Sequence, residues 1–318
     1  MKKVFITGAS GCIGHYIVEN LIQNTDHELY LLVRNPEKLG FDYQARAGIH
    51  ILQGDLLQIA DYADLLKTIS VAILIAAAWG GIEETREINV TKTHQLMNFL
   101  DLEICEQVIY FSTASILDKN NQLLEAAGKT GHNYIRTKYE CYQSLGELAI
   151  APKITTVFPT LVFGGEEKKP YSHISGGIGE VANYINLIKW LKADASFHFL
   201  HATDIAQVVC YLVEHPELNQ RQVVLGTPVI LANQAVEEVC AYLGKKIYFR
   251  IPLEAWMANI LIALFRIEVA DWDYFSIQYR HFTYKDPVTP ASFGLPTYCA
   301  TLPEVLKASG IKGSQTPS

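Results

Sequence analysis

A chain of 318 residues, 49% of them apolar, is long enough to bury a large core. Its 26 basic and 33 acidic residues give a net charge of −7 with no dense block of either sign, so a nucleic-acid-binding face has no support. The six cysteines (Cys12, Cys105, Cys141, Cys210, Cys240, Cys299) contain no C-x-x-C pair, which argues against zinc and against a disulfide framework.

The N-terminus passes from Met1-Lys2-Lys3 straight into a strand and a glycine turn, without the apolar core and cleavage site of a signal peptide. With the scattered thiols this predicts a cytoplasmic protein. Short β-branched runs follow at Lys3–Thr7, Glu28–Val33, Ile49–Gln53, Val71–Ala76, Gln107–Ser112, Ile154–Phe158 and Gln222–Leu225. Between them Ile13, Ile17, Val18, Leu21 and Ile22 recur at helical spacing, and Val90, Leu96, Met97 and Leu100 do so less cleanly. Strands alternating with amphipathic helices predict an α/β fold: a Rossmann doubly wound parallel sheet with a smaller C-terminal substrate lobe. Residues 1–163 and 197–228 are assigned to the dinucleotide-binding domain. The glycine-bearing, charged stretch after Gly164, with a helix-like segment Val181–Leu191, and the aromatic-rich tail after Leu231 form the lobe, residues 164–196 and 229–318. An insertion and a tail placed after the sheet are expected to close over the carboxyl ends of its strands. Ala255 to Phe265 is apolar apart from Asn259 but well short of the ~20 residues of a membrane span, so a buried helix is expected there.

The first strand runs into Thr7-Gly8-Ala9-Ser10-Gly11-Cys12-Ile13-Gly14, with glycines three apart ahead of an amphipathic helix. This spacing allows a tight turn, close backbone approach to a pyrophosphate, and helix-start N–H groups facing the anion. Asp55, in Gly54-Asp55-Leu56 after the third strand, can accept from an adenine amino group or simply cap the next helix. Arg34 ends the second strand about 20 residues beyond the last glycine, where NAD-binding folds place an acidic residue against the ribose. An arginine there favours the extra phosphate of NADP(H), with Lys38 beside it, and NAD(H) is the other possibility; the plainer alternative is a solvated surface charge.

Tyr134 and Lys138 stand four residues apart on one helix face and can point into one cleft. A nearby ammonium favours phenolate and lowers a tyrosine pKa, which suits proton transfer at neutral pH. The hydroxyls of Phe111-Ser112-Thr113-Ala114-Ser115 follow the fifth strand and can hold a carbonyl oxygen, or merely cap the strand end. His198 and His201 lie three apart, but on a strand they would not face one way, and no carboxylate cluster joins them, so no metal site is expected.

These pieces in this order resemble the extended short-chain dehydrogenase/reductase family over most of the chain. The resemblance rests on the Thr7–Gly14 turn, Gly54-Asp55-Leu56, Ala76-Ala77-Ala78, Asn89-Val90, Ser112-Thr113, Tyr134 to Lys138, Pro159 to Gly164 and His201 to Ala206. It implies Tyr134 as the acid/base, Thr113 as its hydroxyl partner, and Lys138 as the residue that grips the nicotinamide ribose and tunes Tyr134. Asn89 is implied as the helix asparagine that holds the site together. Gly8, Ser10, Gly11, Cys12, Ile13, Gly14, Arg34, Asp55, Leu56, Ala76, Ala77 and Pro159 complete the implied cofactor contacts. A dimer through the helices carrying Asn89 and Tyr134 is implied by the family alone.

Phe158 stands where the family often has arginine, Leu117-Asp118 replaces Tyr-Gly, and Ala195 to His201 lacks the arginine that meets a diphosphate in nucleotide-sugar members. The expected activity is therefore reduction of a carbonyl or oxidation of a secondary alcohol in a small molecule. The segment Val33-Arg34-Asn35-Pro36 is similar to that of the NADPH-using, dihydroflavonol-reductase-like members. A sugar epimerase or dehydratase with retained NAD, and a non-catalytic dinucleotide sensor or scaffold, are the rivals. Trp256, Trp272, Tyr274 and Phe275 are expected either to line the substrate pocket or to form core.

Overall fold

The computed structural model describes residues 1–218, 220–253 and 270–314, and side chains within these except 180–183. The expected helix at 255–265, and Trp256 with it, lie outside the described residues.

Seven parallel strands form the main sheet: β1 (Lys3–Thr7), β2 (Glu28–Val33), β3 (Ile49–Gln53), β4 (Val71–Leu74), β5 (Gln107–Phe111), β6 (Ile154–Pro159) and β7 (Gln222–Leu225). Their order is β3-β2-β1-β4-β5-β6-β7, reversing direction beside β1. That reversal opens a crevice at the strands' carboxyl ends, the place where doubly wound sheets take ligands.

Both sheet faces are covered, which is why the strands read as continuous apolar runs. Val4 and Ile6 of β1 point into one cluster with Ile17, Val18 and Leu21, whereas Phe5 between them points into the other with Ala72, Val108 and Tyr110. The first cluster is closed by helix α1 (Cys12–Asn24) against a later helix, Ala202–Glu214. On the other face a helix at Ile82–Arg86 passes through a π turn, Glu87–Lys92, into Thr93–Phe99. The wider turn shifts the helical phase, so Val90, Leu96, Met97 and Leu100 share one cluster despite their imperfect spacing.

Helix α2 (Asn133–Ser144) follows β5, and α3 (His173–Ile188) follows β6. The latter begins well ahead of the expected Val181. Beyond β6, β7 joins the main sheet, and three two-stranded pieces form beside it: Leu161–Phe163 with Phe199–His201, Ser196–Phe197 with Ile230–Leu231, and Leu191–Lys192 with Ile251–Pro252.

Candidate active site

The glycine turn is fixed by clearance. Gly8 takes a positive φ of 78°, and a Cβ on it would sit 2.7 Å from the Ala76 nitrogen; a Cβ on Gly14 would sit 2.1 Å from the Gly8 oxygen. Neither position admits a side chain, because the turn is packed against the end of β4 and against itself. Gly11 differs, for a Cβ there would meet only the Gly8 oxygen, at 3.4 Å. As N-cap of α1 it carries no capping side chain, and the first turn has no acidic residue, so the helix-start N–H groups are left for an anion.

Buried His15 locks this turn to the next loop. Its Nδ1 lies 2.9 Å from the Gly11 oxygen and its Nε2 accepts from the Gly40 N–H at 3.0 Å, and burial lowers its pKa. The Cys12 thiol, also desolvated, is pushed up to about 11 and stays neutral beside the turn.

Asp55 takes the capping role and lines the groove as well. Its Oδ1 accepts from the Leu57 N–H at 2.9 Å as a helix cap, while Oδ2 stands 3.9 Å from Arg34 Nη1. Arg34 is 79% exposed and lines the groove beside Asp55.

At the other end, α2 carries Tyr134 and Lys138. Lys138 is 1% exposed and its Nζ donates to the Phe111 carbonyl at 2.6 Å, 4.7 Å from the Tyr110 ring centroid. Burial lowers its pKa to about 8. Asn89 ties this helix to the β4 loop: its Oδ1 accepts from the Ala78 N–H at 2.8 Å, and its Nδ2 donates to the Ala78 carbonyl and to Thr137 Oγ1 at 3.0–3.1 Å. Thr113 Oγ1 accepts from the Ser115 N–H at 3.3 Å, so the capping role is real, yet its side chain still faces the groove. Ser112 Oγ is buried with no hydrogen-bond partner, an orphaned polar atom in the same wall.

One expectation is corrected here. Lys138 Nζ is 6.0 Å from the Tyr134 ring centroid, engaged with Phe111, and burial pushes the Tyr134 phenol above its ordinary value. Desolvation outweighs the cation in this arrangement.

All the expected site positions line one groove of about 840 Å³: Gly8, Ser10, Gly11, Cys12, Ile13, Gly14, Arg34, Asp55, Leu56, Ala76, Ala77, Thr113, Tyr134, Lys138 and Pro159, together with Lys38. A glycine cradle, bare helix-start donors and an orphaned serine hydroxyl in a single channel fit a bound dinucleotide.

Sequence reasoning missed Trp79. Its indole lies flat on the Tyr134 ring, centroids 3.8 Å apart and planes 9° from parallel, and is 4.9 Å from the His173 ring while 60% exposed. A lone tryptophan between Ala76-Ala77-Ala78 and Gly80-Gly81 was the available signal. Of the two alternatives for the late aromatics, core holds for Trp272 and Phe275, which pack with Phe158, Ile116 and Leu117 in a separate cluster; Tyr274 is exposed, and none of the three lines the groove. Leu161, Val162, Tyr171, His173 and Ile174 line that end instead. His198 and His201 serve the backbone: His198 Nδ1 meets the Thr227 oxygen at 2.7 Å and its Nε2 accepts from the Tyr284 N–H, while His201 Nδ1 accepts from the Thr203 N–H.

The profile of the NAD dependent epimerase/dehydratase family matches residues 4–226, and the chain belongs to that family. Among solved structures it is similar to that of gox2253, with 19% identity over 98% of this chain and 100% of that one and a TM-score of 0.70. The dTDP-glucose 4,6-dehydratase of Bacillus anthracis in complex with NAD matches at 12% identity over 98% and 96% of the two chains, TM-score 0.64. The terminal R domain of the myxalamid PKS-NRPS biosynthetic pathway matches at 18% identity over 100% and 87%, TM-score 0.64. At such identities the likeness establishes the fold. No curated protein matches the chain.

Proposed function

We propose that the protein is an NADP(H)-dependent reductase or dehydrogenase that interconverts a carbonyl and a secondary alcohol in a small molecule. Residues 1–163 and 197–228 bind the dinucleotide in this reading, and 164–196 and 229–318 shape the substrate end. The observation that carries it is the opening of the glycine turn and of Tyr134, Lys138 and Thr113 onto one channel.

Gly8 through Gly14 would hold the pyrophosphate at the start of α1, Asp55 and Leu56 the adenine side, and Ala76, Ala77 and Pro159 the nicotinamide side. Arg34, with Lys38, would meet the 2′-phosphate of NADP(H), and Lys138 the nicotinamide ribose. The cofactor, when bound, supplies or accepts a hydride at the substrate carbon. Thr113 Oγ1 and the Tyr134 hydroxyl then share the substrate oxygen, and Tyr134 moves the proton. Burial raises the phenol's pKa, so at neutral pH Tyr134 carries the proton that a carbonyl reduction would take up.

Titrating purified protein with NADPH and with NADH, read by nucleotide fluorescence, tests this: NADPH is expected to bind more tightly. Absence of binding at millimolar nucleotide would end the reading. Mass-spectrometric detection of retained NAD, without net turnover of added NADPH, would move the assignment to an epimerase or dehydratase; NAD is bound in the similar dehydratase structure.

A further inference from the structure

The end of the lobe carries a second feature, which the groove does not use. Helix α3 stops at Ile188, and the chain turns through Trp190 into Leu191–Lys192, which pairs with Ile251–Pro252. The Trp190 ring lies 4.7 Å from Phe249 and stacks on Tyr248 at 6.4 Å. The Trp190 backbone N–H donates to the Leu187 carbonyl, and Leu187 lies one turn from Tyr184 on the same helix face. Tyr184, Leu187, Tyr248 and Phe249 are 62%, 65%, 76% and 61% exposed. Folded proteins scatter large apolar groups singly over their surfaces; a joined set of aromatic rings marks an interaction surface.

The rim of this patch is basic. Lys189 Nζ lies 4.9 Å over the Trp190 ring, and Lys192, two residues beyond that ring, and Lys245 and Lys246, just ahead of Tyr248 and Phe249 in the chain, are exposed. Among the described residues no carboxylate pairs with these four lysines; Arg250 alone is engaged, with Glu237 at 2.9 Å. A positive rim is notable on a chain of net charge −7. After Leu253 and Glu254 the sequence itself continues into the apolar run AWMANILIALF.

Tryptophan and tyrosine rings beside lysine stems are the composition that settles at the headgroup level of a bilayer, rings inward and ammonium groups among phosphates. A second copy of the chain fits worse, since a two-fold contact would set these unpaired lysines against their own counterparts. We propose that this face docks on the surface of an anionic lipid bilayer, lying on it rather than crossing it. No described helix is long and apolar enough to cross a membrane.

The test is co-sedimentation of the full chain with vesicles of phosphatidylcholine alone and with vesicles rich in phosphatidylserine. Binding is expected to the phosphatidylserine vesicles, to weaken with added salt, and to fall by roughly tenfold or more in each of two double variants, K245E/K246E and Y248S/F249S. All four positions lie outside the groove, so nucleotide binding by these variants reports that the fold is kept. Failure to sediment with either vesicle would overturn the proposal. So would equal binding to phosphatidylcholine alone, or a dimer in light scattering that Y248S/F249S dissolves.

Discussion

The two ends of the groove are built on different principles. At the glycine turn, backbone faces backbone at clearances that exclude even a methyl group on Gly8 or Gly14, and the groups left open are N–H donors at a helix start. At the substrate end side chains make the wall: Trp79 on Tyr134, then His173, Tyr171 and Leu161. A site read by backbone cannot change without losing its shape, whereas one read by side chains can be refilled. Phe158 and Leu117, which stand where the family resemblance has Arg and Tyr, are wholly buried in a separate apolar cluster and do not line the groove. Asp118 likewise accepts from the Asn120 and Gln122 N–H groups in a turn.

This contrast can be broken at four points. Tyr134→Phe keeps the ring and its stack on Trp79 while removing the proton, so turnover should fall by about 10²–10⁴ with nucleotide affinity nearly unchanged; retained turnover would remove the acid/base role. Gly14→Ala should cost about 3 kcal/mol or more in thermal unfolding and abolish nucleotide binding, because the new Cβ would sit 2.1 Å from the Gly8 oxygen and 2.8 Å from the Ala9 Cα, both backbone. Wild-type melting and affinity would show that the turn can yield.

Lys138→Met separates stability from activity. The unfolded chain keeps the lysine proton up to its ordinary 10.5, but the folded protein only to about 8. Burying the charge therefore costs stability fully below pH 8, and the cost fades as pH rises toward 10.5. The variant should lose turnover yet melt higher at pH 7, by on the order of 1–3 kcal/mol less the donor lost to the Phe111 carbonyl, with the gain shrinking by pH 10. A melting difference independent of pH would contradict it. The smallest effect is expected at Arg34→Ser, where an exposed charge should be worth about tenfold in NADPH affinity and nothing in NADH affinity. Equal loss for both nucleotides would leave Arg34 without a phosphate to meet.

The same contrast explains what the sequence disclosed. The seven strands stood out because both faces are buried, and each short apolar run matches a strand within a residue or two. The glycine turn and the Tyr134/Lys138 spacing were legible because they are local. The start of α3 was hidden by Gly176, Gly177 and Gly179, which depress helix propensity inside the helix. The three-residue pairing of Leu161–Phe163 with Phe199–His201 joins distant segments and leaves no periodic trace. Whether Trp272 lines a pocket or fills a core depends on which neighbours surround it, and its cluster includes Phe158 and Ile116, remote in sequence. The direction of the Tyr134 pKa likewise follows from depth, which spacing along a helix does not encode.

The three hydrogen bonds of Asn89 have a mechanical consequence. They join the floor of the channel at Ala78 to the helix bearing the phenol and the ammonium, so these parts can only move together. Any breathing that admits a bulky reactant then belongs to the opposite bank, where the chain runs through Gly164 and Gly165 at φ of 156° and 120° before reaching Tyr171 and His173. The reacting groups stay at anchor while the shore across from them shifts.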